Sequence, residues 1–126
     1  MTHEQLIAAV TQWFWNNHPE ERGMLYAINN NISEGLLSYV PKYLRSHAAR
    51  IEGNKNKAKG VVPGVLDLCY ITYEGKPVYL DAKVGNDKLS DEQKDFCEKL
   101  TDRGILWFVF SSVDEFKNII NTIQNG

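Results

Sequence analysis

The apolar residues near the start of the chain recur at helical spacing: Leu6, Ile7, Val10, Trp13 and Phe14 share one face of a helix. Thr2 and Gln5 stand three residues apart ahead of them, the arrangement of a capping box, so a helix is expected from about residue 3 to about 16. It should stop near His18 and Pro19, because proline disfavours a helical conformation in the residue before it. After a polar turn ending at Gly23, residues 24–28 form an apolar run of strand length, closed by Asn29, Asn30 and Asn31. Residues 34–52 carry Leu36, Leu37, Tyr39, Val40, Tyr43 and Leu44, a helical pattern interrupted by Pro41, and a basic, polar loop follows.

The pattern then changes period. Val62, Pro63 and Gly64 have the proline-glycine order of a type II turn, and residues 65–73 are rich in β-formers. Residues 77–83 form a second strand, joined to the first through a tight connection containing Gly75. Ser90 and Gln93 make another capping box, opening a helix that runs to about Arg103 and ends on Gly104. Residues 105–110 are continuously apolar, as expected of a strand buried on both faces at the centre of a sheet. Ser112 starts a last helix with Val113, Phe116, Ile119, Ile120 and Ile123 turned inward. The order α-β-α-β-β-α-β-α has no internal repeat and predicts an α/β domain with a mixed sheet flanked by helices.

A chain of 126 residues has the size of one compact domain, so residues 1–126 are read as a single unit. No apolar run approaches the roughly 20 residues that span a bilayer, and residues 1–10 show neither a basic stretch nor a small-residue cleavage site. The expectation is a cytoplasmic protein without membrane contact. Cys69 and Cys97 have no partners at zinc-ligand spacing and read as buried free thiols. The formal charge of -2 argues against a protein that coats nucleic acid, but it is unevenly spread. Lys42, Arg45, Arg50, Lys55, Lys57 and Lys59 are offset only by Glu52, which makes that stretch +5 and leaves -7 elsewhere. It reads as a polyanion-binding surface, with a solvated helix face as the plainer alternative.

Asp67, Asp81 and Lys83 fall in stretches that read as β-strand, where aspartate is disfavoured and charge is costly to bury. Side chains alternate along a strand, so Tyr79, Asp81 and Lys83 share one face and Val78, Leu80 and Ala82 the other. A three-residue loop of Tyr73, Glu74 and Gly75 pairs Thr72 with Lys76 and, counting outward, sets Asp67 opposite Asp81. A two-residue loop would turn Asp81 to the wrong face. Opposed side chains have Cβ atoms about 4.5 to 5.5 Å apart, close enough for two carboxylates to share one divalent cation. Without a cation the two would repel and one would stay protonated. Mg²⁺ is typically held by one or two carboxylates with water and substrate phosphate, and Lys83 suits orienting water or neutralising charge on a phosphate. The alternative is an intra-sheet salt bridge.

These residues resemble the PD-(D/E)XK nuclease superfamily, and the words around them resemble its VRR-NUC type, relatives of Holliday junction resolvases. Gly64-Val65-Leu66-Asp67, Asp81-Ala82-Lys83 and Leu89-Ser90-Asp91-Glu92-Gln93 are similar to the family's G-x-x-D, (D/E)-x-K and L-S-x-x-Q, in the same order and spacing over most of the chain. The resemblance implies a restriction-endonuclease-like core and a Mg²⁺- or Mn²⁺-dependent endonuclease. In it Asp67 and Asp81 are metal ligands with the Ala82 carbonyl, Lys83 is the catalytic lysine and Gln93 an accessory active-site residue. Gln93 is equally the reaching-back member of the Ser90 capping box. An acid in the first helix often completes the metal site in this family, and Glu4 stands at the matching place, although it could serve only the helix dipole. Two features depart from the family pattern: Ile28-Asn29-Asn30-Asn31 replaces Ile-Pro-Asn-Gly, and the acid before Lys83 is Asp rather than Glu. The first leaves a substrate contact through Asn29 and Asn30 open.

The resemblance further implies DNA, branched in particular, as the substrate, a role in replication, repair or phage DNA processing, a bacterial or phage origin and a homodimer. Phosphate contacts are expected from the basic stretch. No phosphate-cradling G-x-x-x-x-G-K, no G-x-S-x-G elbow and no zinc spacing among His3, His18 and His47 is present, which sets aside P-loop and serine hydrolases. The rival reading is a non-catalytic nucleic-acid-binding or assembly module on the same fold.

Overall fold

The computed structural model of the chain describes residues 1–28, 62 and 64–126. The expected helix over 34–52, the basic stretch, Asn29, Asn30 and the Pro63 half of the turn lie outside the described residues.

Helix α1 spans His3–Asn17, with both bonds of the Thr2/Gln5 capping box in place. It stops at His18, and a 3₁₀ helix over Pro19–Met24 leads into strand β1, Leu25–Ala27. Strand β2 is Leu68–Ile71 and strand β3 is Pro77–Ala82. Helix α2, Asp91–Asp102, opens on the Ser90/Gln93 capping box; Gly104 follows it with φ of 72°, and the Ile105 N–H returns to the Leu100 carbonyl at 2.9 Å. Strand β4, Leu106–Phe110, and helix α3, Val113–Asn125, complete the described elements, α3 being capped by the Ser112 side chain.

The sheet runs β1-β2-β3-β4; β1 and β3 flank β2 antiparallel, and β4 runs parallel to β3. The mixed sheet flanked by helices is the architecture the sequence predicts. On one face Leu68, Tyr70, Val78, Leu80, Ala82 and Phe110 pack against Leu6, Val10 and Phe14 of α1 and Phe116 and Ile120 of α3. On the other face α2 lies over β3, with the Phe96 ring edge-on to Tyr79 at 5.4 Å between centroids. Cys69 and Cys97 are both buried free thiols, as expected.

The position of β4 corrects one expectation. Among the described residues it is an edge strand paired with β3 alone, Leu106 is 56% exposed, and only Phe110 of the strand is fully buried. Helices cover both faces of this part of the sheet, so the strand is apolar on both sides despite its open edge. No described helix is long and apolar enough to cross a membrane.

Candidate active site

The β2–β3 hairpin sets the register of the site. Gly75 adopts φ of 80°, which a residue without a side chain tolerates. The Thr72 N–H donates to the Lys76 carbonyl at 3.0 Å and the Gly75 N–H to the Thr72 carbonyl at 2.9 Å. Cys69 then pairs with Tyr79 and Leu68 with Leu80. One step further along that register Asp67 faces Asp81. Asp67 stands just before β2 rather than within it, so its own N–H is turned from the ladder to Asp81 Oδ1 at 3.2 Å. In exchange the Ala82 N–H donates to Asp67 Oδ2 at 2.9 Å. Each aspartate thus accepts from the other strand's backbone, which locks both carboxylates at the end of the hairpin.

Gly64, the glycine of the G-x-x-D word, is explained by close approach. Its φ is 84°, and a Cβ there would lie 2.5 Å from the backbone carbonyl of Glu92. The segment that delivers Asp67 therefore runs directly against the first turn of α2.

That first turn delivers Gln93. Gln93, Cys97 and Leu100 follow one another at helical spacing, and Cys97 and Leu100 are buried, so Gln93 is the polar head of the sheet-facing stripe. Its Oε1 accepts from the Ser90 N–H at 3.1 Å and from Lys83 Nζ at 2.9 Å, while Nε2 lies 3.4 Å from both oxygens of Asp81. The capping bond and the contact with Lys83 and Asp81 coexist. Lys83 Nζ also donates to Asp81 Oδ2 at 3.0 Å.

Asp81 is completely buried. Burial and the neighbouring Asp67 carboxylate push its pKa up to about 6, against the opposing pull of Lys83. Asp67 is more open, with 22% of its side chain exposed. His3, Gly64, Val65, Asp67, Asp81, Lys83, Ser90 and Gln93 line a depression of about 350 Å³.

The residue of α1 that meets this depression is His3, whose Nε2 lies 2.9 Å from Asp67 Oδ2. Glu4 is exposed and is not among the lining residues. The signal for His3 was present in the sequence: counted back from Phe14 through Val10 and Ile7, the inward stripe of α1 ends on residue 3.

A second group of ionisable residues, His18, Glu20 and Glu21, lies near the end of α1. There the buried Glu21 accepts from the Tyr70 hydroxyl at 2.6 Å and from Gln124 Nε2 at 3.1 Å. Both carboxylate oxygens are engaged in tying the 3₁₀ segment to β2 and α3, which is a structural use.

The sequence matches the VRR-NUC domain family over residues 4–114. The chain belongs to that family. This VRR-NUC domain is also similar to a solved structure described as a VRR_NUC domain protein, with a TM-score of 0.71 at 17% identity, over 97% of this chain and 87% of that one. At that identity the likeness speaks to the fold, which is the restriction-endonuclease-like one. No curated protein matches the chain. The family is one of nucleases, so the carboxylates and lysine at the hairpin end sit in a nuclease-type domain.

Proposed function

We propose that this VRR-NUC domain is a metal-dependent endonuclease that hydrolyses phosphodiester bonds of DNA, with Asp67, Asp81, Lys83 and Gln93 as its active-site residues. The observation that carries the reading is the completely buried Asp81, placed against Asp67 with Lys83 Nζ at 3.0 Å. A fully buried carboxylate set beside a second carboxylate is a costly arrangement that a further cation would relieve. The donor set fits a hard divalent ion: Mg²⁺ or Mn²⁺ would be held by Asp67, Asp81 and the Ala82 carbonyl, with remaining positions for water and phosphate. Such an ion supplies Lewis acidity, making water more acidic and offsetting phosphate charge.

The chain's own residues provide the rest. Lys83 is steadied by Asp81 and Gln93, which keeps its ammonium at the depression to donate to a phosphate oxygen or to orient the attacking water. Gln93 ties Lys83 to the start of α2, so the lysine does not depend on Asp81 alone for its position. The first turns of α1 and α2 both border the depression, and the partial positive charge of helix N-termini favours an anionic ligand there. Lys42, Arg45, Arg50, Lys55, Lys57, Lys59, Asn29 and Asn30 are proposed to contact the DNA, branched DNA being the substrate class suggested by the resemblance to resolvases. A homodimer and a cytoplasmic place in replication, repair or phage DNA processing belong to the same proposal.

The test is cleavage of labelled linear duplex, flap, splayed arm, four-way junction, single strand and RNA, each with Mg²⁺, Mn²⁺ or EDTA. Metal-dependent cutting of a branched DNA is the expected result. An absence of cutting across the whole panel would overturn the proposal in favour of a binding module.

A further inference from the structure

We propose that His3 is a positioning residue of the site: its Nε2–H donates to Oδ2 of Asp67 and holds that carboxylate in the orientation from which it takes a divalent cation. The histidine acts through Asp67 and is not itself a ligand. This rests on the metal-dependent reading above and deepens it, since Glu4, the acid expected from the first helix, is exposed while the residue before it lines the depression.

Asp67 needs such a partner because of where it stands. It comes just before β2, and its N–H is turned out of the ladder to Asp81 Oδ1 at 3.2 Å, so strand pairing does not by itself fix its side chain. Asp81 beside it is a second carboxylate, and the side chain of Asp67 is 22% exposed, which leaves it room to turn away. Two donors from two elements converge on Asp67 Oδ2: the Ala82 N–H of β3 at 2.9 Å and His3 Nε2 of α1, also at 2.9 Å. A carboxylate offers only acceptors, so the proton of the second bond is on Nε2.

His3 is held in turn by the helix that carries it. It is the first residue of α1, and reciprocal bonds fix the backbone on either side of it, Thr2 N–H to Gln5 Oε1 at 2.9 Å and Gln5 N–H to Thr2 Oγ1 at 3.1 Å. Its side chain is 43% exposed, so the bond to Asp67 serves the depression rather than the core. The two uses have different signatures. Loss of a contact that orients a ligating group weakens metal binding, typically by about 10- to 100-fold, whereas an exposed side chain at a helix start has little effect on stability. The bond needs only an N–H, so glutamine, whose amide nitrogen reaches about as far as Nε2, preserves it and alanine does not.

The experiment is calorimetry of Mn²⁺ binding to the DNA-free protein for wild type, His3→Ala and His3→Gln. Thermal melts in EDTA, and cleavage of the DNA that the wild type cuts best, followed against Mn²⁺ concentration, accompany it. His3→Ala is expected to bind Mn²⁺ about tenfold more weakly and to need about tenfold more of it for half-maximal cleavage. Its Tm in EDTA should stay within about 2 °C of the wild type, and His3→Gln should recover most of the Mn²⁺ affinity. Unchanged Mn²⁺ affinity in His3→Ala, or an equal loss in His3→Gln, would overturn the role of His3 and leave the metal site standing. No Mn²⁺ binding by the wild type would overturn the metal-dependent reading as well.

Discussion

Replacing Asp81 by asparagine should stabilise the metal-free protein at neutral pH while abolishing cleavage. The carboxyl group is completely buried and its pKa is raised to about 6 by burial and by Asp67. An acid with a raised folded-state pKa binds more protons folded than unfolded between its ordinary value near 4 and about 6, so its cost is absent below that window. The cost grows as pH rises through the window and is complete above it. At about 1.4 kcal/mol per pKa unit, ionised Asp81 costs about 3 kcal/mol at neutral pH. Asparagine removes the charge and keeps an oxygen for the Asp67 N–H, but it leaves Lys83 with Gln93 as its remaining bond in that group. A net gain of about 1 to 2 kcal/mol is therefore expected, a rise in Tm of about 4 to 8 °C for a domain of this size. Thermal melts followed by circular dichroism in EDTA at pH 7.5 and pH 4.5 measure it. The gap should be open at the higher pH and closed or reversed in sign at the lower, and Mn²⁺ should stabilise only the wild type. A variant less stable than the wild type in EDTA at pH 7.5, or a gap independent of pH, would refute the reasoning.

Other substitutions separate folding from chemistry. Gly64→Ala places a methyl group 2.5 Å from the Glu92 carbonyl at a φ of 84°, and should lower stability by about 2 kcal/mol or more in urea unfolding while also reducing cleavage. Tyr70→Phe leaves Glu21 without its 2.6 Å donor far from the carboxylates, and should cost about 1 to 3 kcal/mol of stability with cleavage of the folded protein unchanged. Neutralising three of Lys42, Arg45, Arg50, Lys55, Lys57 and Lys59 should weaken DNA binding and flatten its salt dependence, by about 0.9 in log-log slope for each duplex phosphate that is no longer neutralised. Fluorescence anisotropy between low and moderate salt checks this, and an unchanged slope would remove that stretch from the interface.

Much of the site was legible because it depends on local rules. The two capping boxes and the loop of Tyr73, Glu74 and Gly75 are short-range, and counting outward from Thr72 and Lys76 is enough to bring Asp67 opposite Asp81. What was less legible depends on distant parts of the chain. An apolar strand such as β4 looks the same at the centre of a sheet as at its edge when helices cover both faces, so its partner β3 could not be counted from its own residues. Glu4 was suggested by the family resemblance alone; in the structure its side chain is exposed, while the neighbouring His3 meets Asp67 at 2.9 Å.

The most direct test of the central claim is single-turnover cleavage of the best DNA substrate by wild type, Asp81→Ala and Lys83→Ala under saturating Mn²⁺, with DNA binding measured in parallel. The account predicts that the rate falls by at least about a thousandfold for both variants, with DNA affinity changed by less than about threefold. Cleavage at the wild-type rate by either variant would contradict it.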